Sequence, residues 1–184
     1  MEFDPNSVSL EQTSQLIQIL AIIDTNHVKK SYSNPSKSAS HPTPISSNAV
    51  FMVNSHLPGV SSSEGTGNLS LKLHVGDKVS LMGTSLSDNS GDSAVIYNVR
   101  HFSGDQVFTP FVVQTIEQGE APSAAETPDI VAISAQSQAF QRFYSSARAS
   151  GSENLGTSFA LYTRDQNKKS LFGYFFWTWQ ASAA

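Results

Sequence analysis

The stretch Asn68-Leu69-Ser70-Leu71-Lys72-Leu73-His74-Val75 alternates apolar and polar side chains with a period of two. In a strand, that period sets Leu69, Leu71, Leu73 and Val75 on one face. Gly76-Asp77 supplies turn chemistry and Val79 to Ser85 returns with apolar positions of its own, so the segment predicts a β-hairpin. Upstream, Ala49 to Asn54 is short and apolar. Earlier still, Leu16 to Ile23 is a nearly unbroken apolar run, rich in β-branched residues, that stops at Asp24. Such a run suits a strand buried on both faces, with a short helix as the alternative. Downstream, Ala94 to Phe102, Val107 to Ile116, Ile130 to Ser134, Ser158 to Thr163 and Leu171 to Gln180 continue the β pattern. Gln136 to Ala149 fits either an amphipathic helix or a strand, and Ser145, Ser146, Ser150 and Gly151 favour the strand.

About nine short strands, separated by clusters of Gly, Pro, Asn and Asp, predict an all-β chain with little helix. The expected architecture is a single-domain antiparallel β-sandwich of jelly-roll or immunoglobulin-like form. No βαβ rhythm and no repeat of fixed period appears. The polar residues 1–15 read as an N-terminal extension and 16–184 as the domain. Between Asn26 and Asn48, Pro35, Pro42 and Pro44 stand among serines and threonines, which predicts one long surface loop.

The 184 residues carry 15 acidic and 11 basic side chains, a net charge of −4, and no cysteine. A charged fraction of 14% is low, and polarity comes instead from 31 serines and 11 threonines. An acidic, weakly charged surface does not attract polyanions, which argues against a nucleic-acid partner. The absence of cysteine excludes disulfides, thiolate nucleophiles and cysteine-ligated zinc. The first lysine is Lys29, and the apolar run before it is short and interrupted by Gln18. It fits neither a signal peptide nor a membrane span, so a cytoplasmic protein is expected, with export by another route left open.

Motifs for catalysis are lacking: there is no P-loop, nucleophile elbow, G-x-G-x-x-G or H-E-x-x-H. Gly65-Thr66-Gly67 leads into a strand, not into a helix that could hold an anion. His27, His41, His56, His74 and His101 lack metal-ligand spacing. Asp88-Asn89-Ser90-Gly91-Asp92 has oxygen ligands for calcium but not the EF-hand spacing, and reads as a turn. Asn68-Leu69-Ser70 matches the glycosylation sequon inside an expected strand. No catalytic residue, cofactor or metal ligand is assigned.

The densest signal is Leu171-Phe172-Gly173-Tyr174-Phe175-Phe176-Trp177-Thr178-Trp179-Gln180. As a strand it sets Leu171, Phe175, Trp177 and Trp179 on one face and Phe172, Tyr174 and Phe176 on the other. It is either a central strand covered on both sides or a strand with one face open for association. Phe172, Tyr174, Phe176, Trp177 and Trp179 are therefore candidates for a self-association or ligand surface. Asp24, Asn26, Tyr32 and Asn34 are candidate polar residues on the rim of the long loop, where a glycan or small ligand could bind.

Ile22-Ile23-Asp24-Thr25, followed by Tyr32 and Asn34-Pro35, resembles the opening of the AidA/PixA family of bacterial inclusion body proteins. Gly65-Thr66-Gly67-Asn68-Leu69, Val75-Gly76-Asp77-Lys78-Val79 and Gly83-Thr84-Ser85 follow in the same order. Phe159-Ala160-Leu161-Tyr162 and Leu171-Phe172-Gly173-Tyr174-Phe175 resemble the family's last strands. The resemblance spans roughly Leu16 to Trp179. It implies a non-enzymatic, self-associating protein, quorum- or phase-regulated, linked to host association and able to accumulate as cytoplasmic inclusions. It transfers no active-site motif. Met1 to Gln15 looks longer than the family's usual start, and such an arm can block or exchange an assembly contact. The alternative is a β-sandwich module that binds a glycan or small ligand.

Overall fold

The computed structural model describes residues 14–55, 61–121, 136–165 and 168–184. The chain is all-β, and two sheets face each other across one apolar core. One sheet orders β3 (Val50–Asn54), β1 (Leu16–Ile23), β6 (Lys78–Ser85), β9 (Gln136–Ser146) and β8 (Val112–Ala121). The other orders β4 (Ser61–Ser62), β5 (Ser70–Leu73), β11 (Lys168–Ala183), β10 (Gly151–Asp165) and β7 (Ser93–Gly104), and β2 (Thr43–Pro44) joins it on β11. The expected strand at Ile130 to Ser134 and most of the N-terminal extension lie outside the described residues, as does His56. Of the segment Gln136 to Ala149, Gln136–Ser146 is a strand, as its serines indicated.

The expected hairpin does not form. β5 pairs with β4 and β11, whereas β6 pairs with β1 and β9, so Gly76-Asp77 carries the chain from one sheet to the other. Gly76 takes a φ of +101°, open to glycine. The Asp77 carboxylate accepts from the backbone N–H of His74 at 2.8 Å and of Gln15 at 2.9 Å. Leu71 and Leu73 therefore face Val79 and Leu81 across the core instead of beside them.

The sheets are also mixed. β1 runs parallel to β6, and β11 runs parallel to β5 and β2, because the long connections between these partners allow a crossover. β1 is a central strand with Ile17, Ile19, Ala21 and Ile23 buried. Its other face is only half-covered, so the apolar run is not buried on both sides.

The long loop is not wholly irregular. Its first residues form helix α1 (Thr25–Ser31), which Asp24 caps by accepting from the His27 N–H at 2.9 Å. The rest lies along β11 as a strap. Tyr174 N–H donates to Ser36 O at 2.9 Å, Ile45 N–H donates to Phe176 O at 2.9 Å, and Tyr32 packs edge-on to Phe175. At Gly173, a Cβ would lie 2.5 Å from Pro35 Cγ, so only glycine lets the strap this close.

Candidate functional site

β11 carries the aromatic signal, and its inner face is core. Phe175, Trp177 and Trp179 are buried, with Phe159 stacked on Phe175 and edge-on to Trp177. Trp179 Nε1 donates to Thr157 Oγ1 at 2.9 Å, while Trp177 Nε1 has no acceptor among the described residues. Trp177 and Trp179 are thus not part of any open surface. Phe172 also departs from the expected alternation. It is the extra residue of a bulge in β11, opposite Leu161 and Tyr162 of β10, and has no cross-strand partner. It packs against the core, stacked on Phe175 with the Lys37 ammonium over its ring.

Tyr174 and Phe176 do lie on the outer face. Two bulges in the β7–β10 ladder leave Tyr97 and Phe102 of β7 unpaired in register. Their rings reach toward β11: Tyr97 meets Tyr174 at 5.5 Å and Phe102 meets Phe176 at 5.9 Å between centroids. Between them β10 presents Gly156, Ser158 and Ala160, and these small residues are buried beneath the rings. The Tyr97 hydroxyl donates to Ala39 O of the strap at 2.8 Å, and burial raises its pKa above the ordinary value. What stays open is apolar: Phe102 is 52% exposed and Val95 of the same strand is 42% exposed.

The candidate rim does not converge into a site. Asp24 is the helix cap, and the Tyr32 hydroxyl accepts from the Ser46 N–H at 2.9 Å. Asn26 and Asn34 are simply exposed. In the Asp88 to Asp92 turn, Asn89 Oδ1 accepts from Ser85 and Ala94 N–H groups and Asp92 pairs with Lys29. Among the described residues, no group of three or more His, Asp or Glu side chains is arranged to hold a metal.

A second feature was not legible in the sequence. Glu153 of β10 is only 2% exposed. Its Oε2 accepts from the backbone N–H groups of Val107 at 2.7 Å and Phe108 at 3.0 Å, and its Oε1 bonds His101 Nδ1 at 3.1 Å. The group lines a cleft of about 390 Å³ beside β7, together with Arg100, Arg148, Phe108 and Phe111. The 46 and 52 residues that separate Glu153 from Val107 and His101 hide this meeting from any local motif.

The family model described as PixA, inclusion body protein, matches residues 15–181. The chain belongs to the PixA family. A crystal structure of an inclusion body protein of this family from Burkholderia cenocepacia J2315 is 66% identical, covers 96% of this chain and 100% of its own, and superposes with a TM-score of 0.86. The solution structure of amebosin aligns at 8% identity over 62% of this chain and 88% of its own, and its TM-score of 0.22 carries no weight for the fold. Among curated proteins none matches. Among the described residues of this PixA-family chain no helix is long and apolar enough to cross a membrane.

Proposed function

We propose that this PixA-family protein is a non-enzymatic, self-associating protein whose copies pack through the outer face of the β7–β10–β11 sheet. One observation carries the reading: Phe102 stands half-exposed beside Phe176 and on the same face as exposed Val95. Leaving such apolar groups in water costs roughly 25 cal/mol per Å² that a second copy would recover. The charged fraction of 14% and the net charge of −4 offer little repulsion against dense packing. Accumulation in cytoplasmic inclusions, quorum or phase regulation and host association are part of the same proposal and rest on family membership.

Sedimentation velocity over a hundredfold concentration range tests it. The wild-type protein is expected to give species that grow with concentration, and Phe102→Ser combined with Phe176→Ser is expected to shift them to monomer with an unchanged circular dichroism spectrum. A monomer at every concentration, or a variant that assembles like wild type, refutes the assignment of this face.

A further inference from the structure

The cleft beside β7 gathers basic side chains although the chain as a whole is acidic. Arg148 lines it with a guanidinium and His101 with an imidazole, and Glu153 is the one carboxylate among its described lining residues, whereas Arg100, paired with Gly156, belongs to the outer face near Tyr97. Glu153 is already occupied by three donors, two of them backbone N–H groups, so its oxygens are committed inward. Arg148 Nη2 donates to the neutral Gln106 Oε1 at 3.1 Å and meets no acidic partner among the described residues. A guanidinium has five N–H donors, so most of the fork stays available for a planar oxyanion. His101 uses Nδ1 on Glu153, and its Nε2 has no partner among the described residues. Fixing one ring nitrogen on a carboxylate presents the other as a hydrogen-bonding group of set orientation.

The rest of the wall is apolar. Phe108 and Phe111 lie 5.5 Å apart between centroids and form one side of the cleft. A volume of about 390 Å³ falls in the range of small-molecule sites, which combine apolar walls with a few convergent polar groups. We propose that this cleft binds a small organic oxyanion, a carboxylate or phosphate carried on an apolar body, with His101 and Arg148 on the head group and Phe108 and Phe111 on the body. The site uses none of the aromatic residues assigned to self-association, so either proposal can fail without the other.

The test is titration of the full chain by calorimetry with benzoate, phenyl phosphate, benzamide and inorganic phosphate. Benzoate or phenyl phosphate is expected to bind saturably, and the tighter of the two identifies the head group. Benzamide and inorganic phosphate are expected to bind at least about tenfold more weakly, since each lacks one half of the recognition. The variant Arg148→Gln alters an exposed side chain and should keep the fold by circular dichroism while binding falls by at least about tenfold. No saturable binding of either organic anion overturns the proposal. So does equal binding by benzamide, by inorganic phosphate or by the folded Arg148→Gln variant.

Discussion

Glu153→Ala should be among the most damaging substitutions in the chain, and the structure sets its size. Glu153 is buried and accepts two backbone hydrogen bonds, from Val107 and Phe108, both of which are buried residues. Truncation leaves two N–H groups facing no acceptor, at about 1–3 kcal/mol each. The bond to His101 adds less, because that side chain is 36% exposed and water can replace the carboxylate. The total is about 3–5 kcal/mol, the range for breaking a buried charge-assisted network. For a domain of this length, that is a fall in Tm of roughly 10 °C. Glu153→Gln keeps one carbonyl oxygen for the two N–H groups and should cost only about 1–2 kcal/mol. Urea unfolding of the three proteins, compared at equal m-value, is the assay. If the alanine variant lies within about 1 kcal/mol of wild type, the carboxylate is not what fastens residues 107–108, and the account of the cleft's floor is wrong.

Three further outcomes are expected. Trp179→Phe removes the indole donor to Thr157 and leaves a buried hydroxyl unpaired, whereas Trp177→Phe removes an indole N–H that has no acceptor among the described residues. The Trp177 variant should therefore be at least about 1 kcal/mol the more stable of the two in urea titrations. Gly173→Ala drives a Cβ into Pro35 and should loosen the strap, which limited proteolysis within residues 32–45 would report as faster cleavage at unchanged sheet content. The raised pKa of Tyr97 means that the fold favours the neutral phenol. That contribution is intact below the unfolded value near pH 10 and is lost as pH rises through the folded value. The tyrosinate can no longer donate to Ala39, so wild type should lose stability above about pH 10 relative to Tyr97→Phe, measured as the difference in Tm across an alkaline series.

The chain's class was readable from local pattern. Period-two alternation in Asn68–Val75 and the aromatic alternation of Phe175, Trp177 and Trp179 depend only on successive Cβ atoms pointing to opposite faces. The first is present as Ser70–Leu73, with Leu69, Leu71 and Leu73 buried but Val75 beyond its end and exposed, and in the last strand the alternation set the buried tryptophans on one face. The helix at Thr25–Ser31 was also signalled, by Asp24 as cap and by Lys29 and Lys30 in the last turn, but the prolines that follow drew the whole stretch into one loop.

Partners and bulges were decided elsewhere. A strand's own sequence says which residues share a face, not which strand lies beside it, so β5 and β6 read as a hairpin although they belong to opposite sheets. A bulge inserts one residue and resets the alternation, which sends Phe172 to the core side and Tyr97 and Phe102 over β10. The Glu153 cluster depends on β10 passing both β7 and residues 107–108, a meeting that exists only after the sheet has formed. The all-β class, the PixA family and the aromatic last strand are written in the chain itself, because alternation and family motifs are local. Which aromatics remain in water and where the charged groups converge emerge only on folding, because both depend on pairing between distant segments.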